Sequence, residues 1–245
     1  MNNMIKPLLL LERAAAFAQG KGYGSNTVRR EFRAARKLFT SPPALMIDIG
    51  ANKGLYTSEM TSTFPESVIH IFEPSEVNIT FLKDRFQDSP KILLAPVALG
   101  ERKQDCILFS DEAGSGLASL TNRKLEHFGI DFKCREVISV IRFEDYWIEQ
   151  LQGRNIDFAK IDVEGHELDV LKGFGEALAK TQVFQFEFGG CNIDTRTYFR
   201  DFWYFFKENG FDIFRIGPIS THLIEKYRES DEFFSTTNFL AKRRF

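Results

Sequence analysis

Apolar positions along the chain alternate between short continuous runs and longer segments of mixed polarity. The runs at 44–49, 68–72, 91–99, 156–161, 183–188, 211–216 and 237–242 are short, apolar and closed by Gly, Pro or polar residues, which predicts buried strands. Segments 56–63, 78–86, 167–172 and 198–208 read as helices between them. In the last of these, Tyr198, Phe199, Phe202, Trp203, Phe205 and Phe206 recur at three- and four-residue spacings, one broad apolar face. Gly173 is the expected C-cap of the 167–172 helix, and Asn209-Gly210 closes the 198–208 helix. Residues 101–147 are more polar and predict shorter strands and turns, with Gly114-Ser115-Gly116 as a flexible point. Ahead of the first strand, 5–18 and 27–39 have helical composition and flank Gly20-Lys21-Gly22-Tyr23-Gly24; Pro42-Pro43 ends this arm.

Strands alternating with helices imply βαβ units, hence an α/β, doubly wound (Rossmann-like) parallel sheet with helices on both faces. The expected division is a helical N-terminal arm or lid over 1–41 and the α/β domain over 42–245. Ligands of such sheets bind beyond the carboxyl ends of the strands, near the point where strand order reverses. Chemistry is therefore sought in the residues that follow each strand.

Composition changes the picture at one point. The 245 residues include 26 Phe, fourteen of them after residue 173. Phe184, Phe186 and Phe188 alternate with Gln185 and Glu187, so the rings share one face and Glu187 points to the other. The excess thus predicts a core around the fifth strand, with Phe233, Phe234 and Phe245 open between acceptor wall, dimer contact and core. Net charge is −2, which argues against a wholly basic nucleic-acid binder. Residues 1–40, however, hold eight Lys/Arg against Glu12 and Glu31, net +6, and the remainder is net −8. The arm reads either as solvated helices packed over the open end of the sheet or as a surface for an anionic acceptor or a peripheral membrane contact. Cys106, Cys134 and Cys191 form no paired spacing, and the apolar run 8–11 is too short to span a bilayer; a cytoplasmic protein is expected.

The first strand ends in Asp48-Ile49-Gly50-Ala51-Asn52-Lys53-Gly54. Gly50 and Gly54 let backbone approach a ligand closely, and a turn feeding a helix aims N–H groups at a polar or anionic group. The second strand ends at Glu73, 23 residues after Gly50, where a carboxylate can accept hydrogen bonds from both hydroxyls of a ribose. GxGxxG is absent, which disfavours an NAD-dependent oxidoreductase. A ribose-bearing ligand without a pyrophosphate fits better, and S-adenosyl-L-methionine is one. A non-catalytic cofactor-binding module is the other alternative.

The strand-end residues then resemble one family. The stretch from Asp48 through Gly54 to Leu55-Tyr56-Thr57 is similar to motif I of the FkbM methyltransferases, Phe72-Glu73-Pro74 to their second motif, and Ala95-Pro96-Val97-Ala98-Leu99-Gly100 to their third-strand segment. Lys160-Ile161-Asp162-Val163-Glu164-Gly165-His166-Glu167-Leu168-Asp169-Val170-Leu171-Lys172-Gly173 resembles their most distinctive motif; Gly116-Leu117-Ala118-Ser119-Leu120 resembles a Ser-Ser-Leu element with Ala118 at the first serine. The resemblance covers about 44–190. It implies a seven-stranded sheet of order 3-2-1-4-5-7-6 with strand 7 antiparallel, and methyl transfer to a hydroxyl of a sugar, glycan, glycolipid or polyketide. It places Asp48, Gly50, Ala51, Asn52, Gly54, Tyr56, Glu73, Pro74 and Ala98 around the cofactor.

An aliphatic hydroxyl is a poor nucleophile, so a positioned base or metal is useful. Asp162, Glu164 and Glu187, at the ends of the fourth and fifth strands, are the candidate catalytic residues. Together they would make an all-oxygen set that suits magnesium. Glu167 and Asp169 are expected on a solvated helix face, His166 on the surface of that helix, and His70 in a structural place within a strand.

Overall fold

The computed structural model describes residues 5–24 and 27–244. Phe245 lies outside the described residues. The arm comprises α1 (Ile5–Ala18) and α2 (Val28–Arg36), followed by β1 (Leu45–Ile49), α3 (Leu55–Thr63), β2 (Val68–Phe72), α4 (Glu76–Phe86) and β3 (Ile92–Ala95). The middle of the chain adds β4 (Ala98–Leu99), β5 (Gln104–Ser110), β6 (Cys134–Ile141) and α5 (Phe143–Glu149). Then come β7 (Ile156–Ile161), α6 (Glu167–Gly173), β8 (Thr181–Phe188), α7 (Cys191–Thr195), α8 (Phe199–Glu208), β9 (Phe211–Ile216), β10 (Thr221–Leu223) and β11 (Thr237–Arg243).

Eight strands form the main sheet in the order β3-β2-β1-β7-β8-β11-β9-β10. This corrects the seven-strand order expected above. Thr221–Leu223 folds back on β9 as an antiparallel edge strand, so in sheet order the succession is 3-2-1-4-5-8-6-7, and the antiparallel strand between β8 and β9 is the eighth. From β3 to β8 all pairings are parallel. The segment 91–99 is not one strand. Pro96 offers no N–H to a ladder, and the chain leaves the main sheet there: β3 pairs with β2, while β4 joins a separate three-stranded sheet, β4-β6-β5.

Both faces of the main sheet are covered. On one, Phe184, Phe186 and Phe188 of β8 meet Phe199, Phe202 and Phe206 of α8, all fully buried, with α5 and α6 alongside. Phe186 stacks on Phe202, Phe206 and Phe239, and Phe234 leans on Phe188. On the other face, Phe32 of α2 packs against Tyr56, Phe64 and Phe158. Helix α2 is thus part of the core of this face, whereas every residue of α1 except Ala16 is exposed. Gly173 is not a left-handed cap. It ends α6 in helical conformation, and glycine is needed because a Cβ would stand 2.1 Å from the Gly100 carbonyl oxygen.

Strand order reverses at β1, whose neighbours are β2 on one side and β7 on the other. The carboxyl ends of β1, β2 and β7 therefore open on one crevice, with β8 beside it.

Candidate active site

After β1 the chain turns at Gly50, φ +75°. A Cβ on Gly50 would lie 1.8 Å from the Asp162 carbonyl oxygen, so only glycine lets the β1 and β7 ends meet this closely. The Gly50 and Ala51 N–H groups donate to the Phe72 carbonyl, tying this turn to the end of β2. Asn52 is held in the left-handed region, and its N–H donates to Glu73 Oε2 at 2.8 Å. Glu73 is buried and accepts further bonds from Ser75 N–H (3.0 Å) and Asn78 Nδ2 (3.3 Å). Burial pushes its carboxyl above the usual range, against the pull of those donors.

Beyond these ends lies a cleft that opens to solvent. Gly50, Asn52, Glu73 and Pro74 form one wall, Asp162, Glu164 and His166 another. Val97, Ala98, Leu99, Leu108 and Ile138 make an apolar end, and the Ser115–Ser119 segment closes over it. Asn52 Oδ1 and Asn78 Oδ1 are buried here without a hydrogen-bond partner. Buried polar atoms of this kind are normally paired, so two orphan acceptors beside Glu73 point to a ligand bearing N–H or O–H donors.

Of the expected cofactor contacts, Gly50, Asn52, Glu73, Pro74 and Ala98 line the cleft. Asp48, Ala51, Gly54 and Tyr56 do not. Asp48 is fully buried behind the turn, accepting from Thr57 Oγ1 at 2.6 Å with Oδ1 3.5 Å from Lys160 Nζ; it orients the turn. A Cβ on Gly54 would meet Phe86 and Leu82, a packing reason for glycine. Ala51 and Tyr56 face a second cavity.

That second cavity, about 670 Å³, is lined by Glu31, Tyr56, Lys160, Asp162, Glu187 and Asn238, among others, with Gly24, Thr27 and Val28 supplied by the arm. It shares Gly50, Asn52 and Asp162 with the first. Asp162 thus stands where the two cavities meet. Oxygens of Asp162, Glu164 and Glu187 all lie within 4.8 Å of one another, so the three candidate catalytic carboxyls are together.

Their environments differ. Lys160 Nζ sits 3.3 Å from Asp162. Burial pulls the Lys160 ammonium down, but Asp162, Asp48 and Glu31 outweigh it and the net shift is up, so this lysine stays charged. Glu164 receives Arg123 Nη1 at 2.6 Å, and Arg123 also reaches Asp194. Burial, reinforced by Asp162, nonetheless pushes the Glu164 carboxyl up to about 8. Burial and the neighbouring carboxylates likewise push Glu187 well up.

A family model, the methyltransferase FkbM domain, matches residues 48–213. The chain belongs to the FkbM methyltransferase family. Among curated proteins, the FkbM chain is similar to the 2-O-methyltransferase NoeI of Sinorhizobium fredii (strain NBRC 101917 / NGR234), 25% identical over 191 residues that cover 73% of this chain and 76% of that protein. Among solved structures it is similar to methyltransferase FkbM from Methylobacillus flagellatus KT, with a TM-score of 0.54 and 16% identity over 90% of this chain. This chain spans 49% of the length of that structure. It also resembles the fibrillarin pre-rRNA processing protein of Methanococcus jannaschii in fold, with a TM-score of 0.50 and 11% identity over 89% of this chain and 76% of that one.

Several site residues of this FkbM chain escape a reading of the sequence. Glu167 is not solvated: it is fully buried and accepts from the Val163 and Gly165 N–H groups, fixing the loop that carries Glu164. His166 is not a plain surface position: it lines the cleft, clamped between Asp169 (2.9 Å) and Thr121 (2.9 Å). Lys160 had one signal, a cation inside an apolar strand two residues before Asp162. Glu31 and Arg123 had none, because their partners are distant in sequence. His70 is structural as expected, buried against the Tyr146 hydroxyl.

Proposed function

We propose that this chain is an S-adenosyl-L-methionine-dependent O-methyltransferase acting on a hydroxyl of a sugar or glycan. The observation that carries the reading is the meeting of two cavities at Gly50, Asn52 and Asp162. Bound in the first, S-adenosyl-L-methionine supplies a methyl group activated on a sulfonium. Glu73 would hold the ribose hydroxyls, the orphan oxygens of Asn52 and Asn78 would take further donors, and Val97, Leu99 and Ile138 suit the apolar faces of a base.

The second cavity suits a polyhydroxylated acceptor. Glu31, Asp162 and Glu187 offer carboxyl oxygens that accept hydrogen bonds from hydroxyls, and the Tyr56 ring gives an apolar patch. Transfer to an alcohol oxygen releases a proton that a group in the site must take. Asp162, Glu164 and Glu187, with oxygens all within 4.8 Å of one another, do not all stay ionised. Asp162, 3.3 Å from Lys160 and standing where the two cavities meet, is the group placed to take that proton, and Glu187 beside it orients the acceptor. The similarity to a 2-O-methyltransferase supports oxygen as the target.

The acidic trio is a poor fit to magnesium. Arg123 already occupies Glu164 and Lys160 neutralises Asp162, so two cations stand where a metal ion would have to displace them. No step is assigned to a metal.

The test pairs binding with turnover. S-adenosylhomocysteine should raise the melting temperature and NAD should not. With S-adenosyl-L-methionine, a panel of sugars and glycans should yield a methylated product by mass spectrometry, with equal rate after chelation. Stabilisation by NAD alone would replace this reading with the oxidoreductase, and cofactor binding with no transfer across the panel would favour the binding module.

A further inference from the structure

The exposed surface of the arm has a composition unusual for a protein facing water. Leu8, Leu10 and Leu11 of α1 are 62%, 66% and 66% exposed, and Leu9 and Phe17 are exposed too. Ile219, at the tip between β9 and β10, is 91% exposed. The tip lies against α2 and the end of α1. Pro218 and Ile219 share a concavity with Arg30, Arg33 and Lys37, and a Cβ on Gly20, just past α1, would come within 2.6 Å of the Ile216 carbonyl oxygen. Arg29, Arg30, Arg33 and Arg36 of α2, and Lys37 just after it, face outward. Among the described residues, Arg33, Arg36 and Lys37 form no salt bridge.

We infer that this surface docks on an anionic lipid membrane. Charge complementarity selects the partner: the first 40 residues are net +6 on a chain that is net −8 elsewhere, and anionic headgroups attract such a patch by about 1 kcal/mol per Lys or Arg. The apolar residues distinguish a bilayer from a soluble polyanion, which has no use for exposed Leu and Ile. They also distinguish it from a second copy of this chain. Four successive leucines advance by about 100° each and so surround α1, whereas a helix pairing seam is a single stripe. At 14 residues α1 is about 20 Å long, so it can lie along the headgroup–acyl boundary with Ile219 beside its end, and it is too short to cross a bilayer. A shallow apolar wedge plus a basic patch is the two-signal arrangement that gives stable peripheral anchoring. The docking does not depend on which acceptor is methylated. If the reading above holds as well, the arm residues that line the second cavity bring its mouth beside the bilayer, where a lipid-carried glycan is met.

Co-sedimentation of the full chain with vesicles tests this. The chain should pellet with phosphatidylcholine vesicles containing phosphatidylglycerol, release as salt rises, and stay in solution with phosphatidylcholine alone. R33S/R36S/K37S should weaken binding about a hundredfold, at about fivefold per cation. L10E/L11E and I219E should each lose it, with circular-dichroism melts matching wild type. Equal binding to neutral and anionic vesicles, or none to either, overturns the proposal. So does a dimer in sedimentation equilibrium that L10E/L11E converts to monomer, which would assign the apolar helix to a second copy.

Discussion

Glu73 is the most demanding test of the proposed cofactor cleft. Its two carboxylate oxygens accept from Asn52 N–H, Ser75 N–H and Asn78 Nδ2, and these three fixed donors hold the carboxylate at the cleft wall. Hydrogen bonds to a charged acceptor contribute about 1.5–3 kcal/mol each. Two ribose hydroxyls lost together amount to about 3–6 kcal/mol, or roughly 10²–10⁴ in Kd. Glu73→Ala should therefore reduce S-adenosylhomocysteine affinity by that factor in titration calorimetry. Glu73→Gln keeps one acceptor oxygen and the shape, so its loss should be about half as large in free energy. Stability should change less than affinity. The Asn52 and Ser75 N–H groups lose their partner in the alanine variant, but the cleft admits water to them, which places the cost near the low end of the about 1–3 kcal/mol for an unsatisfied buried group. Melting curves without ligand check that the variant is folded. A Kd within threefold of wild type in a folded Glu73→Ala protein would refute the ribose assignment and, with it, the orientation of the cofactor in the cleft.

Asp162→Asn should leave S-adenosylhomocysteine affinity unchanged and lower kcat by about 10²–10⁴, the usual contribution of a general base; wild-type turnover would remove Asp162 from the proton path. Gly50→Ala should fail to fold or lose cofactor binding outright, since its Cβ would overlap the Asp162 carbonyl at 1.8 Å and φ is +75°; a folded variant that binds normally would contradict the close approach of β1 and β7. Stability should fall as pH rises from about 6.5 to about 8. The folded state holds Glu164 near 8 against an ordinary 4.5, so this carboxyl binds more protons folded than unfolded; its contribution is present at low pH and lost as pH climbs through the folded value. His70 acts only below that window, because its folded value of about 4 against 6.5 costs stability on acidification. Glu164→Gln should flatten the fall in melting temperature, and a wild-type profile that rises over the same range would count against the raised carboxyl.

What the sequence made legible follows from the range of the interactions involved. The strand ends carry their chemistry in contiguous residues: Gly50 turns, Glu73 ends β2, and Asp162 follows β7, all visible from local pattern. The alternation of Phe184, Phe186 and Phe188 with Glu187 needed only the period of a strand, and β8 buries the three rings as that period predicts. Failures came where a distant partner decides. Glu167 and Asp169 look alike on a short helix, yet Glu167 turns inward to the Val163 and Gly165 N–H groups because Gly165, at φ +106°, bends the loop back over it. The break at Pro96 turned one expected strand into two, in separate sheets. Strand β10 carries too little apolar pattern, with Thr221-His222-Leu223, to be predicted, and that edge strand alone changes the order of the sheet.

The same distinction explains why the chemistry of this chain is easier to read than its acceptor. Every residue that frames the cleft proposed for the cofactor lies between Ile49 and His166, inside the segment 48–213 that matches the family. The second cavity draws Gly24, Thr27, Val28 and Glu31 from before that segment and Asn238 from after it. Those outlying residues are held by specific contacts. Gln185 of β8 donates to Glu31 at 2.7 Å and to Asn238 at 3.2 Å while accepting from the Tyr56 hydroxyl, so one buried amide ties the arm and the last strand to the motif-I helix. Removing the amide should loosen the wall of the proposed acceptor cavity without touching the proposed cofactor cleft. Gln185→Leu is thus expected to raise KM for the acceptor and leave S-adenosylhomocysteine affinity as it was. Equal losses in both would mean that the two cavities form one cooperative unit, and that acceptor selection is not a property of the arm.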